Sequence, residues 1–77
     1  MTATETFIWD GPTLGHALRA QREHLGFRQA DVAADLGFSQ RLISEIENGR
    51  DTVAYGKILR YAEYLAMDLT IRPRGGE

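Results

Sequence analysis

The chain has 77 residues, no cysteine and a formal charge of -2 at neutral pH, with a pI near 5.6. Its length supports one small domain with a modest core, which association between subunits commonly supplements, so we expect a homodimer. The lack of cysteine excludes disulfides. No long apolar run or signal-like leader supports a membrane span or secretion, so a cytoplasmic location is expected.

The first twelve residues are predicted to form an arm ahead of the folded domain. Phe7, Ile8 and Trp9 make an apolar cluster just before the turn-forming residues 10–12. One interpretation is that this cluster packs into the core or a dimer interface. The other is that it anchors a protein partner, because aromatic side chains dominate interface energetics.

A first helix is predicted to begin near Pro12 or Thr13 and to end at Gly26. Leu14 and Leu18 lie at helical spacing within it and form part of its apolar stripe.

The central stretch RQADVAADLGFSQRLISEIENG, residues 28–49, predicts two short helices joined by a tight turn. Val32, Ala33 and Leu36 share a helical stripe, after which Gly37 ends the first helix in the left-handed conformation. Ser39 is then a good N-cap for the second helix.

The second helix of this pair has an inner and an outer face. Ile43 and Ile46 repeat at helical spacing, and Asn48 with Gly49 forms a stop signal. The outer side chains suit DNA bases, because Gln and Arg pair with adenine and guanine and Glu accepts from cytosine. The pattern therefore predicts a DNA-binding helix-turn-helix. Its predicted base-reading residues are Gln40, Arg41, Ser44 and Glu45.

DNA binding by an acidic chain requires a local concentration of positive charge, since such domains commonly carry a basic surplus. We therefore expect the basic side chains to lie largely on one side, away from Asp31, Asp35 and Glu63. These basic residues are Arg19, Arg22, Arg28, Arg41, Arg50, Lys57 and Arg60.

A further helix is predicted after Thr52, which is a plausible N-cap. Tyr61 and Tyr64 fall beside the inner stripe of this helix, so its apolar arc is wider than one small core requires. We expect these two tyrosines to contact a dimer partner. The predicted inner stripe consists of Tyr55, Ile58, Leu59, Ala62 and Leu65.

Residues 68–72 alternate polar with apolar side chains, which predicts one short strand. A lone strand leaves its backbone groups unpaired, so it needs a mate. That mate is either residues 7–9 or the same strand of a second subunit, and we favour the second. The predicted dimer contacts in the strand are Leu69, Thr70 and Ile71.

No constellation of side chains in this sequence supports catalysis, a metal or a cofactor. His16 and His24 are eight positions apart, too far to grip one metal ion. Glu45 and Glu47 point to different faces of a helix and cannot act as a catalytic pair. We therefore expect a protein that is not an enzyme and that needs no metal or cofactor.

The segment LGFRQADVAADLGFSQRLISEIENG resembles the Cro and phage-repressor, or XRE, type of helix-turn-helix domain, and the match extends from Leu14 to about Leu65. In that family, a Gln at the start of the second helix touches the DNA backbone, and a small residue follows four positions later. A Glu near the end of the third helix pairs with an Arg of the first. The matching residues here are Gln29, Ala33, Glu47 and Arg22. The resemblance thus implies a structural ion pair between Glu47 and Arg22.

The sequence departs from this family at Arg28, where a Ser or Thr usually caps the second helix. Arg cannot accept from the free backbone N–H groups, but it can reach a phosphate that lies across the helix start. Leu42 is also unusual, and either touches a thymine methyl group or packs between helix ends. The predicted DNA-backbone contacts are Arg28, Gln29, Ser39 and Arg50.

The ending LRYAEYLAMDLTIRPR resembles the C-terminal part of HipB-like antitoxins, in which a fourth helix leads into a strand that pairs across the dimer. Members of that group repress their own operon and hold a HipA-type serine/threonine kinase toxin. The resemblance therefore implies an inverted-repeat operator and a kinase partner, for which Phe7 and Trp9 are the expected contacts. A phage or restriction-control repressor without a toxin is the alternative. A helical adaptor that binds only protein is the third interpretation.

Together these features predict an all-α fold, a four- to five-helix Cro/phage-repressor-like helix-turn-helix domain whose short C-terminal β-strand pairs across a dimer. Residues 1–12 would form the N-terminal arm and 13–66 the DNA-binding domain. Residues 67–77 would form the strand and tail.

Overall fold

The structure is a computed structural model that describes residues 5–75, and in this range the chain forms four helices. They are α1 (Gly11–His24), α2 (Gln29–Leu36), α3 (Gln40–Glu47) and α4 (Tyr55–Tyr64). The predicted all-α helix-turn-helix fold is confirmed. The outermost parts of the predicted arm and tail, residues 1–4 and 76–77, lie outside the described range.

Helix α1 begins slightly earlier than predicted, because Asp10 is its N-cap rather than part of a preceding turn. The Asp10 side chain accepts a hydrogen bond of 2.9 Å from the Thr13 backbone N–H, and the Thr13 hydroxyl oxygen accepts one of 3.1 Å from the Asp10 N–H. This reciprocal box satisfies donors that the first turn would otherwise leave free. Pro12 fits in that turn because its missing N–H is not needed there.

The predicted boundary between α2 and α3 is confirmed. Gly37 has a φ of 72°, a left-handed conformation that glycine adopts without Cβ strain. The hydroxyl of Ser39 then accepts a hydrogen bond of 3.0 Å from the Leu42 N–H, as an N-cap should. Arg28 precedes α2 without a side-chain capping bond, which agrees with its departure from the family pattern.

The predicted N-cap of α4, Thr52, is wrong. The helix is capped by Ala54, whose carbonyl accepts from the backbone N–H groups of Lys57 and Ile58 at 3.0 and 3.4 Å. The connection from α3 runs two residues further because Val53 packs against the core before the helix starts. A packing contact has overridden the local preference for a hydroxyl cap.

The core lies where the four helices meet. Its members are Leu18, Val32, Ala33, Phe38, Ile43, Ile46, Tyr61, Ala62 and Leu65, all with at most 9% of their surface exposed. Val32 and Ala33 occupy the predicted inner stripe of α2, and Ile43 with Ile46 occupies that of α3. The core is therefore built from the residues that the helical periodicity of the central segment indicates.

The inner face of α4 differs from the prediction. Tyr55 and Leu59 are 60% and 41% exposed, whereas Tyr61 is completely buried within its own chain. Tyr61 therefore cannot contact a dimer partner, and that prediction is wrong. A tyrosine can be buried in this way when its hydroxyl finds a hydrogen-bond partner, which here is Glu47. Tyr64 is only half-buried and stays available at the surface.

Residues 68–72 form neither helix nor strand with any described part of the chain. A strand requires a second strand beside it, and residues 5–75 of one chain offer none here. Ile71 is 97% exposed, while the guanidinium of Arg72 lies 5.9 Å from the centre of the Phe7 ring. The C-terminal segment thus lies beside the N-terminal arm. None of the helices within residues 5–75 has the length and apolar character that crossing a bilayer requires.

Glycines allow α1 to approach the end of α3 at backbone distance. A Cβ on Gly15 would lie 2.4 Å from the carbonyl oxygen of Glu47, and one on Gly11 would lie 2.4 Å from that of Gly49. Gly49 itself has a φ of 74°, which disfavours other residues. The first turns of α1 therefore pack directly on the C-terminal end of α3.

We predict that Gly15→Ala destabilises the protein by about 1–3 kcal/mol, because the new methyl group must push backbone apart. Gly56→Ala is the matched control, since Gly56 is also helical but has open space around its Cβ position. That change should stabilise the fold by about 0.5–1 kcal/mol through better helix propensity. Urea unfolding of both variants measures the difference, and equal free energies of unfolding would refute the close contact.

Candidate nucleic-acid interface

The outer face of α3 carries the four predicted base-reading side chains. Gln40 and Arg41 are exposed, and Ser44 and Glu45 are partly exposed. Ile43 and Ile46 are buried on the opposite side and fix the rotation of the helix. An eight-residue helix is about 12 Å long, which suits the width of the DNA major groove.

Arg41 and Glu45 form a surface ion pair along this outer face. Their Nε and Oε2 atoms are 3.5 Å apart, and the Arg41 side chain is 87% exposed. Exposed pairs of this type contribute little stability, so the guanidinium can leave the carboxylate for a better partner. Asn48 donates to the Ser44 hydroxyl at 3.4 Å, which places a further polar group at the C-terminal end of the same face.

Glu47 lies at the inner edge of α3 and receives hydrogen bonds from all three other helices. Arg22 of α1 binds it in a bidentate manner, with Nε 2.6 Å from Oε2 and Nη2 3.1 Å from Oε1. Gln29 of α2 donates its amide to Oε1 at 2.9 Å, and the Tyr61 hydroxyl of α4 donates to Oε2. The ion pair that the resemblance implied is therefore present, as part of a larger buried network.

This network keeps Glu47 ionised. Burial alone would raise the pKa of the Glu47 carboxyl, but hydrogen bonds from Arg22, Tyr61 and Gln29 outweigh it and hold the pKa below its ordinary value. Burial and the hydrogen bond to Glu47 raise the pKa of the Tyr61 hydroxyl, so Tyr61 remains a donor. The hydrogen bond to Glu47 likewise raises the pKa of Arg22. The charges therefore stay in place across the neutral range.

Gln29 connects this buried network to the outer face. Its amide nitrogen is committed to Glu47, and its carbonyl oxygen accepts a hydrogen bond of 3.4 Å from the Gln40 amide. The direction of the Gln40 side chain on α3 is thus influenced by Gln29 of the preceding helix, α2. Sequence patterns do not reveal this link, because the two glutamines are eleven positions apart on different helices. These two hydrogen bonds leave the second N–H of the Gln29 amide unused.

The other predicted DNA-backbone residues lie at the surface. Arg28, Ser39 and Arg50 are exposed, and the Ser39 hydroxyl already caps α3. Arg28 pairs with Asp31 at 3.2 Å, so the expected separation of basic residues from Asp31 is wrong. Local spacing explains this, because residues three apart around a helix start are neighbours. Both side chains of the pair are exposed, so the ion pair is weak and a phosphate could replace Asp31 as the partner of Arg28.

The aromatic arm does not pack in the core of its own chain. Phe7 and Trp9 are 65% and 73% exposed, and their rings stack with centroids 6.0 Å apart. Packing into the core of the same chain is therefore wrong, and the predicted alternatives that stay are a dimer interface and a contact with a protein partner. The arm presents a preformed aromatic surface to whatever lies outside the chain.

Comparison with known proteins shows the family to which the chain belongs. A family model described as a helix-turn-helix domain matches residues 13–74. The ImmF control region 10 kDa protein of Bacillus phage phi105 is 32% identical over 62 residues, which cover 80% of this chain and 69% of the phage protein.

Solved structures share the same fold. A complex of a HipB variant with an O2 20mer superimposes with a TM-score of 0.84 at 24% identity, covering 92% of this chain and 99% of the matched chain. A HipA–HipB–O2–O3 complex gives a TM-score of 0.82 at 23% identity, covering 91% and 99%. At these identities the structural similarity establishes the fold alone.

We predict that Glu47→Gln lowers the free energy of unfolding by roughly 3–5 kcal/mol at neutral pH, because it leaves Arg22 buried without its counter-charge. The folded-state pKa of Glu47 lies below its ordinary value of 4.5, so the ionic contribution is complete above that pH. It is lost as the pH falls from 4.5 through the folded-state pKa. The variant should therefore lose less stability than the wild type across that acidic range.

Glu23→Gln is the control for this experiment, since Glu23 pairs with Arg19 at the surface of α1. Urea unfolding as a function of pH should leave this control close to the wild type. Identical pH profiles for Glu47→Gln and the wild type would contradict the role assigned to the buried carboxylate.

Proposed function

This chain belongs to the helix-turn-helix domain family, and from that membership we propose that it is a sequence-specific transcriptional repressor that inserts α3 into the DNA major groove. The observation that carries the proposal is the outer face of α3, where exposed Gln40 and Arg41 stand on a helix fixed by buried Ile43 and Glu47. A rigid helix with outward polar side chains can hold its donors and acceptors against base edges.

Each outer side chain has a suitable base partner. Gln40 can pair with adenine through its amide, and Arg41 can bind guanine through two N–H groups. Glu45 can accept from cytosine, or keep Arg41 extended through the ion pair in the free protein. Because Gln29 already holds one edge of Gln40, less rotational freedom is lost when the adenine contact forms.

Four residues are proposed to contact the DNA backbone and so set the position of α3. Arg28 and Gln29 lie at the start of α2, Ser39 at the start of α3, and Arg50 just after the end of α3. Helix starts favour phosphate because their free N–H groups point outward. These contacts would add affinity for any sequence, whereas α3 would supply the discrimination.

We propose that the chain acts as a homodimer joined through residues 69–71, with Tyr64 of α4 packed alongside. Leu69 and Ile71 are exposed, and their segment lacks a pairing partner within residues 5–75. A two-fold axis would place two copies of α3 in successive major grooves about 34 Å apart. The operator would then be an inverted repeat.

The finer proposal is that this repressor is the antitoxin of a HipBA-like operon and binds a HipA-type serine/threonine kinase. Support comes from the resemblance of the C-terminal segment to HipB-like antitoxins, and from the exposed Phe7 and Trp9. The alternative is a phage or restriction-control repressor without a toxin, which the phage control protein favours through its 32% identity. A kinase that copurifies, and is encoded beside this gene, would distinguish the two.

We predict that Gln40→Ala and Arg41→Ala each weaken specific binding by roughly 1–3 kcal/mol through loss of a bidentate base contact, with less effect on non-specific DNA. The specific probe is a duplex selected from a random pool by the wild-type protein. Arg19→Ala is the control, because Arg19 also pairs with a Glu four residues later but lies on α1. Wild-type affinity in both α3 variants would show that another surface reads the bases.

We predict that Trp9→Ala weakens binding to a HipA-type kinase by about 2 kcal/mol or more while operator binding stays nearly intact. Tyr55→Ala is the matched control, since Tyr55 is an aromatic residue of similar exposure at the start of α4. Calorimetry with the purified kinase measures both variants. Equal loss from the two variants, or none from Trp9→Ala, would remove the arm from the toxin interface.

A further inference from the structure

Two basic residues of α4 lie over the same aromatic ring at the turn between α2 and α3. The Lys57 ammonium is 5.1 Å and the Arg60 guanidinium carbon 5.0 Å from the centre of the Phe38 ring. Phe38 itself is buried, with 9% of its surface exposed, while both basic side chains are exposed. Their aliphatic stems can cover the ring while their charged ends remain in water.

The charges of these two residues are not compensated within residues 5–75. Arg19, Arg22, Arg28 and Arg41 each form an ion pair there, but Lys57 and Arg60 form none. Arg60 donates one N–H to the carbonyl oxygen of Leu36 at 3.1 Å, which uses one of its five donors. The ring attracts both cations without neutralising them.

Asp35 precedes Leu36 on α2, but its carboxylate accepts a hydrogen bond from the Tyr64 hydroxyl and forms no ion pair with Lys57 or Arg60 within residues 5–75. Two positive charges thus lie about 5 Å from the centre of one ring, and an anion that contacts both would reduce their mutual repulsion.

The pair lies next to the start of α3. Phe38 directly precedes Ser39, the N-cap of that helix, and Gln40 follows as its first residue. A DNA strand that borders the groove occupied by α3 would run past this end of the helix. Helix starts and basic side chains both favour phosphate oxygens.

We infer that Lys57 and Arg60 form a clamp for a backbone phosphate of the DNA whose bases α3 reads. The inference rests on the proposed function and adds two α4 residues to the DNA-contacting set. Phe38 positions both cations, and the hydrogen bond to Leu36 limits the freedom of Arg60. The clamp would act on any sequence, because phosphates carry no base identity.

The test measures binding to a mixed-sequence duplex across a range of salt concentrations. Each neutralised phosphate contributes about 0.9 to the slope of log affinity against log salt, so the double variant Lys57→Gln/Arg60→Gln should reduce its magnitude by about 0.9 per subunit. Lys57→Gln and Arg60→Gln should each remove part of that amount, because the two cations share one phosphate. Arg19→Gln removes the same charge from α1 and should leave the slope unchanged. Arg60→Lys should keep most of the wild-type slope, because it retains the charge.

Thermal unfolding of each variant confirms that the fold is retained. Lys57→Gln is the decisive variant, because the Lys57 side chain makes no hydrogen bond or ion pair within residues 5–75. A slope equal to that of Arg19→Gln would overturn the clamp while leaving the repressor function intact. Absence of salt-dependent DNA binding by the wild type would overturn the proposed function, and the clamp with it.

Discussion

The carboxylate of Glu47 determines how the four helices are held relative to one another. It stands on α3 and accepts hydrogen bonds from Arg22 of α1, Gln29 of α2 and Tyr61 of α4. Removing a carboxylate from water is costly, and the bidentate guanidinium with two further donors offsets that cost. Loss of any partner would leave part of the charge unpaired. The orientation of α3, the helix proposed to read DNA, therefore depends on one buried group.

The acidic pI is compatible with DNA binding, because the basic residues differ in whether a neighbouring carboxylate neutralises them. Arg22 is neutralised in the interior, and Arg28 and Arg41 sit in exposed pairs that a phosphate or base can replace. Lys57 and Arg60 stay uncompensated within residues 5–75 beside the start of α3. Net charge averages over the whole surface, whereas binding responds to the potential where the DNA lies.

Local chemistry explains which features can be predicted from the sequence. Gly37 and Ser39 mark the helix-turn-helix boundary because a left-handed cap and a hydroxyl N-cap act within a few residues. Periodicity places Tyr61 beside the inner stripe of α4 because it carries no information about the partner of the Tyr61 hydroxyl, which lies on another helix. The Gln29 contact to Gln40 is hidden for the same reason. Interactions between distant residues require the three-dimensional fold.

The two ends of α3 have different surroundings. Its N-terminal end carries Gln40 and lies near the uncompensated cations Lys57 and Arg60. The C-terminal end of α3 packs against the first turns of α1, where Gly15 of α1 lies against Glu47 and Gly49 lies against Gly11. Asp10, the N-cap of α1, connects this helix to the aromatic arm.

A protein that binds Phe7 and Trp9 would lie on the side of α1 and of the C-terminal end of α3, where Gly49 directly precedes the proposed DNA-backbone contact Arg50. Because α1 touches α3 backbone to backbone, any displacement of the arm that moves the first turn of α1 must either shift α3 or break that contact. The glycines that allow this close packing would therefore couple the position of the arm, the proposed partner site, to that of α3, the helix proposed to read DNA.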